Sequence, residues 1–168
     1  MPTGGEILIE ALAAEGVRHL FTVPGESFLA ALDALHDAVA VRPVTCRHES
    51  SAAMMAEATG KLTGSPGVAL VTRGPGAVNA MAGVYVAAQD ATPMVLLVGL
   101  PPRKFLDTPS FQSIDIEAQF SPLAKWSAVV PSAQRLSAYL RRAFVSACAG
   151  RPGPVVLGLP EDVLNESA

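Results

Sequence analysis

The chain has 168 residues, a formal net charge of −3 and only 16% charged residues. Its 12 Lys and Arg do not cluster into a nucleic-acid footprint, and its best apolar stretch, Pro93 to Leu100, is far short of the roughly 20 residues of a membrane span. Half the residues are hydrophobic, so the expectation is one domain with a sizeable core and some surface hidden against partners.

Thr3-Gly4-Gly5-Glu6 reads as a capping box, with the Thr hydroxyl and the Glu carboxylate serving each other's backbone N–H. Ile7, Leu8, Ala11, Leu12 and Ala14 follow at helical spacing, and Gly16 suits the stop. Val17 to Val23 reads as a strand with Pro24-Gly25-Glu26-Ser27 as its exit turn. Phe28 to Leu35 is a short amphipathic helix, and Ala40 to Cys46 the next strand, expected to be buried. Ser50 to Leu62 is a helix of Ala and Met, whose small residues allow close approach of a neighbour.

Val68 to Val71 has no polar alternation, as in a strand of a parallel sheet. Pro75 to Ala88 is another small-residue helix, with Pro75 in its first turn. Pro93 to Val98 is a strand, and Gly99 to Ser121 is irregular and rich in Pro. Loops of that length are usually functional, and Phe111 and Gln112, among Asp107-Thr108-Pro109-Ser110, make it a candidate lid or substrate wall. Lys125 to Val130 is a strand, Ser132 caps a helix that Gly150 ends, and Pro154 to Leu159 is the last strand. Asn165 to Ala168 reads as the start of a linker, which puts the domain at residues 1–164.

This alternation predicts an α/β fold of three layers, α/β/α, around a parallel sheet of about six strands. In such sheets ligands bind beyond the carboxyl ends of the strands. Two features stand at that edge: Glu49, after Val44-Thr45-Cys46-Arg47-His48, and Arg73-Gly74-Pro75-Gly76, after Val68 to Thr72. Each has two readings. Glu49 is either a first-turn acid favoured by the helix dipole or a functional carboxylate. The glycine turn is either structural or a ligand cradle. Pro75 lacks an amide for an anion, so a flat, weakly charged group suits the turn better than phosphate. His48, His19 and His36 read as structural, and the Met54-Met55 pair as packing.

Cys46 and Cys148 have no metal-ligand spacing and read as core thiols. No metal site is expected from them. The start lacks a basic secretory n-region, and a cytoplasmic location is the expectation.

Taken together, Arg47-His48-Glu49-Ser50, Met55-Ala56-Glu57-Ala58-Thr59-Gly60-Lys61, Val71-Thr72-Arg73-Gly74-Pro75-Gly76-Ala77-Val78-Asn79-Ala80 and Asp90-Ala91-Thr92-Pro93-Met94 resemble one family. It is the N-terminal, pyrimidine-binding domain of thiamine-diphosphate-dependent enzymes, and most of all of acetolactate-synthase-like proteins. Phe111-Gln112, Pro122 to Trp126 and Gly150 to Val156 extend the resemblance over nearly the whole chain.

The resemblance implies a flavodoxin-like sheet order and a role for each motif. Glu49 is the glutamate that hydrogen-bonds N1′ of the cofactor's aminopyrimidine and favours its imino tautomer, ahead of attack on a 2-keto acid. Val23, Pro24, Gly25 and Glu26 form the turn beside the cofactor. Gly74, Pro75 and Asn79 lie by the pyrimidine, and Phe111 and Gln112 lie near the substrate.

The family's Gly-Asp-Gly run, which anchors the diphosphate through Mg²⁺, does not occur here. Thiamine diphosphate is therefore expected to need a diphosphate-binding domain of the same or a second subunit, and the chain alone is expected to be inactive. A homo-oligomer is implied, and FAD is possible in the full enzyme. Ser50, Ser51 and Arg73 depart from the residues common in acetolactate synthases, which leaves the reaction open. The alternatives are the small subunit of a split decarboxylase and a non-catalytic binding module of the same fold.

Overall fold

The computed structural model describes residues 1–106 and 108–168. Asp107, within the expected lid segment, lies outside the described residues.

The capping box forms as the sequence predicts. Thr3 Oγ1 accepts from the Glu6 N–H at 3.2 Å, and Glu6 Oε2 accepts from the Thr3 N–H at 2.6 Å. It opens α1 (Gly4–Ala14), which ends at Glu15 before Gly16 at φ +81°. There follow β1 (His19–Thr22), a 3₁₀ turn at Glu26–Phe28, α2 (Leu29–Asp37), β2 (Arg42–Thr45), α3 (Glu49–Thr63) and β3 (Gly67–Val71). Next come α4 (Pro75–Gln89), β4 (Met94–Leu100), a 3₁₀ turn at Arg103–Phe105, α5 (Ile116–Phe120) and β5 (Trp126–Val129). The chain ends through α6 (Ala133–Cys148), β6 (Pro154–Pro160) and α7 (Glu161–Asn165).

All the strand pairs are parallel, in the order β2-β1-β3-β4-β6-β5. Successive strand residues point to opposite faces, and β4 shows the consequence. Val95 and Leu97 face one core, with Leu8 and Leu12 of α1 and Leu136, Leu140 and Phe144 of α6. Met94, Leu96 and Val98 face the other, with Ala53 and Ala56 of α3, Ala77, Ala80 and Val84 of α4 and Phe120 of α5. Helices on both faces explain why β3, β4 and β6 are buried throughout. The result is the three-layer α/β/α fold with a six-stranded parallel sheet. α3 and α4 approach so closely that a Cβ on Gly83 would lie 2.5 Å from the Ala53 Cβ.

Several local expectations give way. β2 is an edge strand and mostly exposed, not buried, and Pro43, which has no N–H for a ladder, is tolerated there. The Gly99–Ser121 segment is less irregular than its prolines suggest, because Asp115 Oδ1 caps α5 by accepting from the Ala118 N–H at 2.9 Å. Ser132 occupies the N-cap position of α6, but its side chain makes no capping bond. Cys148 is exposed rather than core, whereas Cys46 is buried. Asn165–Ala168 does not trail off: Glu166 O accepts from the Gly4 N–H at 2.9 Å and Pro2 O from the Ala168 N–H at 3.0 Å.

Candidate functional site

The chain leaves β1 outward to β2 and then returns across β1 to β3. That reversal opens a crevice at the carboxyl ends of β1 and β3, the position where open α/β sheets bind ligands. Three loops meet there.

The first is the exit of β1. Val23, Pro24, Gly25 and Glu26 follow Thr22 directly. A Cβ on Gly25 would stand 2.6 Å from Thr72 Cβ, so only glycine lets this turn rest on the exit of β3. Beneath it, the hydroxyls of buried Ser27 and of Thr72 share a hydrogen bond of 2.8 Å.

The second is the start of α4. Gly74 has φ +56° and ψ −111°, a conformation that L side chains avoid. Pro75 follows at the first helical position, where a missing N–H costs no hydrogen bond. The third is the start of α3, where His48 is the N-cap and its Nδ1 accepts from the Ser50 N–H at 3.2 Å. His48 is therefore a capping residue, and Glu49 occupies the first helical position.

Glu49 reaches across to α4, where its Oε2 accepts from Asn79 Nδ2 at 2.9 Å. Its Oε1 accepts no hydrogen bond among the described residues and lies 3.4 Å from where a Cβ on Gly76 would stand. Glu49 stands in the first turn of α3, where an acid suits the helix dipole, and it also faces the glycine turn, so the two readings of Glu49 are compatible. A half-buried carboxylate with one oxygen fixed and one open, above a floor without side chains, is suited to accept from a flat ring donor.

Phe111 and Gln112 come to the same place from the segment after β4. A Cβ on Gly74 would lie 2.8 Å from Gln112 O, so the Gln112 backbone packs on that turn. Gln112 holds φ +56°, an uncommon conformation for a residue with a side chain. Phe111 is 71% exposed.

Sequence reasoning left Arg73 out of the site. It is 8% exposed; Nη2 donates to Glu26 Oε1 at 2.6 Å and Nη1 to Glu161 Oε2 at 3.3 Å. Its Nε–H is buried with no acceptor among the described residues, a cost of about 1–3 kcal/mol. A lone arginine before a glycine turn carries no signal of these partners, because Glu161 is 88 residues away. Ser27 and Thr72 were also invisible as a pair. Among the described residues no cluster of three or more His, Cys, Asp or Glu could hold a metal ion.

Other motif residues are structural. Glu57 accepts from Thr92 Oγ1 at 3.0 Å and pairs with Lys61 at 3.0 Å, and Lys61 reaches Asp90 at 2.5 Å. This network ties α3 to the loop between α4 and β4.

Residues 2–119 match the family described as thiamine pyrophosphate enzyme, N-terminal TPP binding domain. The chain is 39% identical over 165 residues to the acetolactate synthase isozyme 3 large subunit of Escherichia coli (strain K12), covering 98% of this chain and 29% of that protein. It is 39% identical over 163 residues to an acetolactate synthase of Bacillus subtilis (strain 168), covering 97% and 28%. With the mitochondrial acetolactate synthase catalytic subunit of Saccharomyces cerevisiae (strain ATCC 204508 / S288c) it shares 38% over 161 residues, covering 96% and 23%. The chain thus spans less than a third of the length of these relatives.

Proposed function

The chain belongs to the thiamine pyrophosphate enzyme family, as its N-terminal, pyrimidine-binding domain, and from that premise we propose that it forms half of the active site of an acetolactate-synthase-like enzyme acting on 2-keto acids. The observation that carries this reading is the Glu49 carboxylate, fixed by Asn79 through one oxygen and open at the other above Gly76.

These residues fit the pyrimidine of thiamine diphosphate (thiamine pyrophosphate). Glu49 would hold the ring and move a proton at its open oxygen. Asn79 would keep the carboxylate in place, and Gly74, Pro75 and Gly76 would form an uncrowded floor. Val23, Pro24, Gly25 and Glu26 would border the ring, and Phe111 and Gln112 would wall the substrate side. When bound, the cofactor supplies the electron sink for breaking the carbon–carbon bond beside a keto group.

The diphosphate does not fit here. Arg73 already faces two carboxylates, and Glu26, Glu49 and Glu161 add negative charge to the crevice. Mg²⁺ and the diphosphate therefore belong to a diphosphate-binding domain of the same or a second subunit, and any FAD to another part of the enzyme. The exposed apolar residues Met54, Met55, Val78 and Tyr85 of α3 and α4 suit burial against that domain or a second copy, and the second of these supports the reading of a homo-oligomer. The proposed domain is residues 1–164, with Glu166 and Ala168 bonded back onto its N-terminus. Among the described residues no helix is long and apolar enough to cross a membrane, and the free thiols Cys46 and Cys148 suit a reducing cytoplasm.

The test is calorimetric titration of thiamine diphosphate with Mg²⁺ into this chain, alone and assembled with a diphosphate-binding domain. Binding is expected only in the assembly. An assembly that gives no heat of binding contradicts the reading and favours a non-catalytic module.

A further inference from the structure

Three segments, those that follow β1, β4 and β6, converge on the guanidinium of Arg73. Arg73 lies two residues beyond β3, Glu26 follows β1, Glu161 follows β6, and Phe111 belongs to the segment after β4. Nη2 donates to Glu26 at 2.6 Å, Nη1 donates to Glu161 at 3.3 Å, and the Phe111 ring centre lies 5.8 Å from Cζ. These contacts span both sides of the crevice, since Glu26 belongs to its β1 side and Phe111 to its outer wall. With two carboxylates against one cation, the cluster as a whole does not favour a further carboxylate from a substrate. Its planar fork and flat face are what let it hold two carboxylates and an aromatic ring together, which a lysine ammonium does not match.

We propose that Arg73 is a positioning residue. It holds the Glu26 turn and the Phe111–Gln112 wall at a fixed separation across the mouth of the site, and so governs how substrate enters rather than how the cofactor is activated. This rests on the function proposed above. The structure separates the two roles: Glu49 and Asn79 touch neither Arg73 nor its partners through any hydrogen bond among the described residues.

The test uses the assembled enzyme, with pyruvate as the probe, in wild-type, Arg73→Ser, Arg73→Lys, Glu26→Gln and Arg73→Lys/Glu26→Gln forms. Arg73→Ser is expected to raise the KM for pyruvate about tenfold while kcat changes less than about threefold. Amide hydrogen exchange is expected to rise together in residues 24–28, 108–113 and 161–165. Arg73→Lys should keep protection at 24–28 better than at 108–113, and the Lys/Gln double variant should lose less than the two single losses combined. Where Arg73→Ser does not fold, the Lys and Gln forms decide. Exchange changes confined to residues 72–74, an unchanged KM or strictly additive losses would overturn the proposal. If the wild-type assembly is inactive, the functional reading has failed, and the exchange pattern still decides whether Arg73 is the clamp.

Discussion

Glu49 was legible as an acid at a sheet edge because its residue type and position are both local facts. Its partner was not, because Asn79 lies on another helix 30 residues away. Gly76 provides a test at this scale. A Cβ there would stand 3.0 Å from Thr72 Cγ2, which must give by a few tenths of an ångström, and 3.4 Å from Glu49 Oε1, in contact with its open oxygen. Alanine is the better helix former by up to about 1 kcal/mol, which offsets the crowding in the fold but not in the site. Gly76→Ala is therefore expected to lower thiamine diphosphate affinity about tenfold in the assembled enzyme with little change in melting temperature. Calorimetric titration and a thermal melt check this, and an unchanged affinity would remove Gly76 from the site.

The buried strands and long helices were readable because unbroken apolar runs and helical periodicity survive without tertiary information. The misreadings have physical causes. β2 looks buried because Val41, Val44 and Cys46 are apolar, but its neighbours place it at the edge. α5 has five residues, too few for a period. The tail from Asn165 is polar and is ordered by long-range contacts, the Gly4 N–H donating to Glu166 O, the Ala168 N–H to Pro2 O and Arg103 Nη2 to Glu166 Oε2 at 3.3 Å; Arg103 also holds the preceding helix. The Arg103 Nε and backbone N–H each donate to Asp162 at 2.8 Å. Burial pushes the Asp162 carboxyl up, but these bonds together hold it below its ordinary value. The backbone and side-chain hydrogen bonds of Thr3 likewise hold Glu6 down. A carboxyl lowered in the folded state contributes stability above its unfolded pKa, and that is lost as pH falls through the folded value. The melting temperature should thus hold steady from pH 7 to about 5 and fall below about 4. Asp162→Asn should lower it at neutral pH and flatten the acid limb. An acid limb unchanged by the substitution would mean that the Arg103–Asp162 pair adds no pH-dependent stability.

At the scale of the whole molecule, the sheet order brings exits of β1 and β3 together beside the starts of α3 and α4, and that convergence makes the site. The three-layer fold was legible from the βα alternation, and the family from its joined motifs. The Arg73 clamp was not, since it exists only once the segments after β1, β3, β4 and β6 meet. The crevice holds a carboxylate with one oxygen open and an arginine already paired with two carboxylates, which is the basis for proposing half of a catalytic centre. The most direct test is the rate of pyruvate decarboxylation by the assembled enzyme, wild type against Glu49→Gln, at saturating thiamine diphosphate and Mg²⁺. A fall of about 100-fold or more in kcat, with the assembly intact, is the predicted result; equal rates would contradict the account.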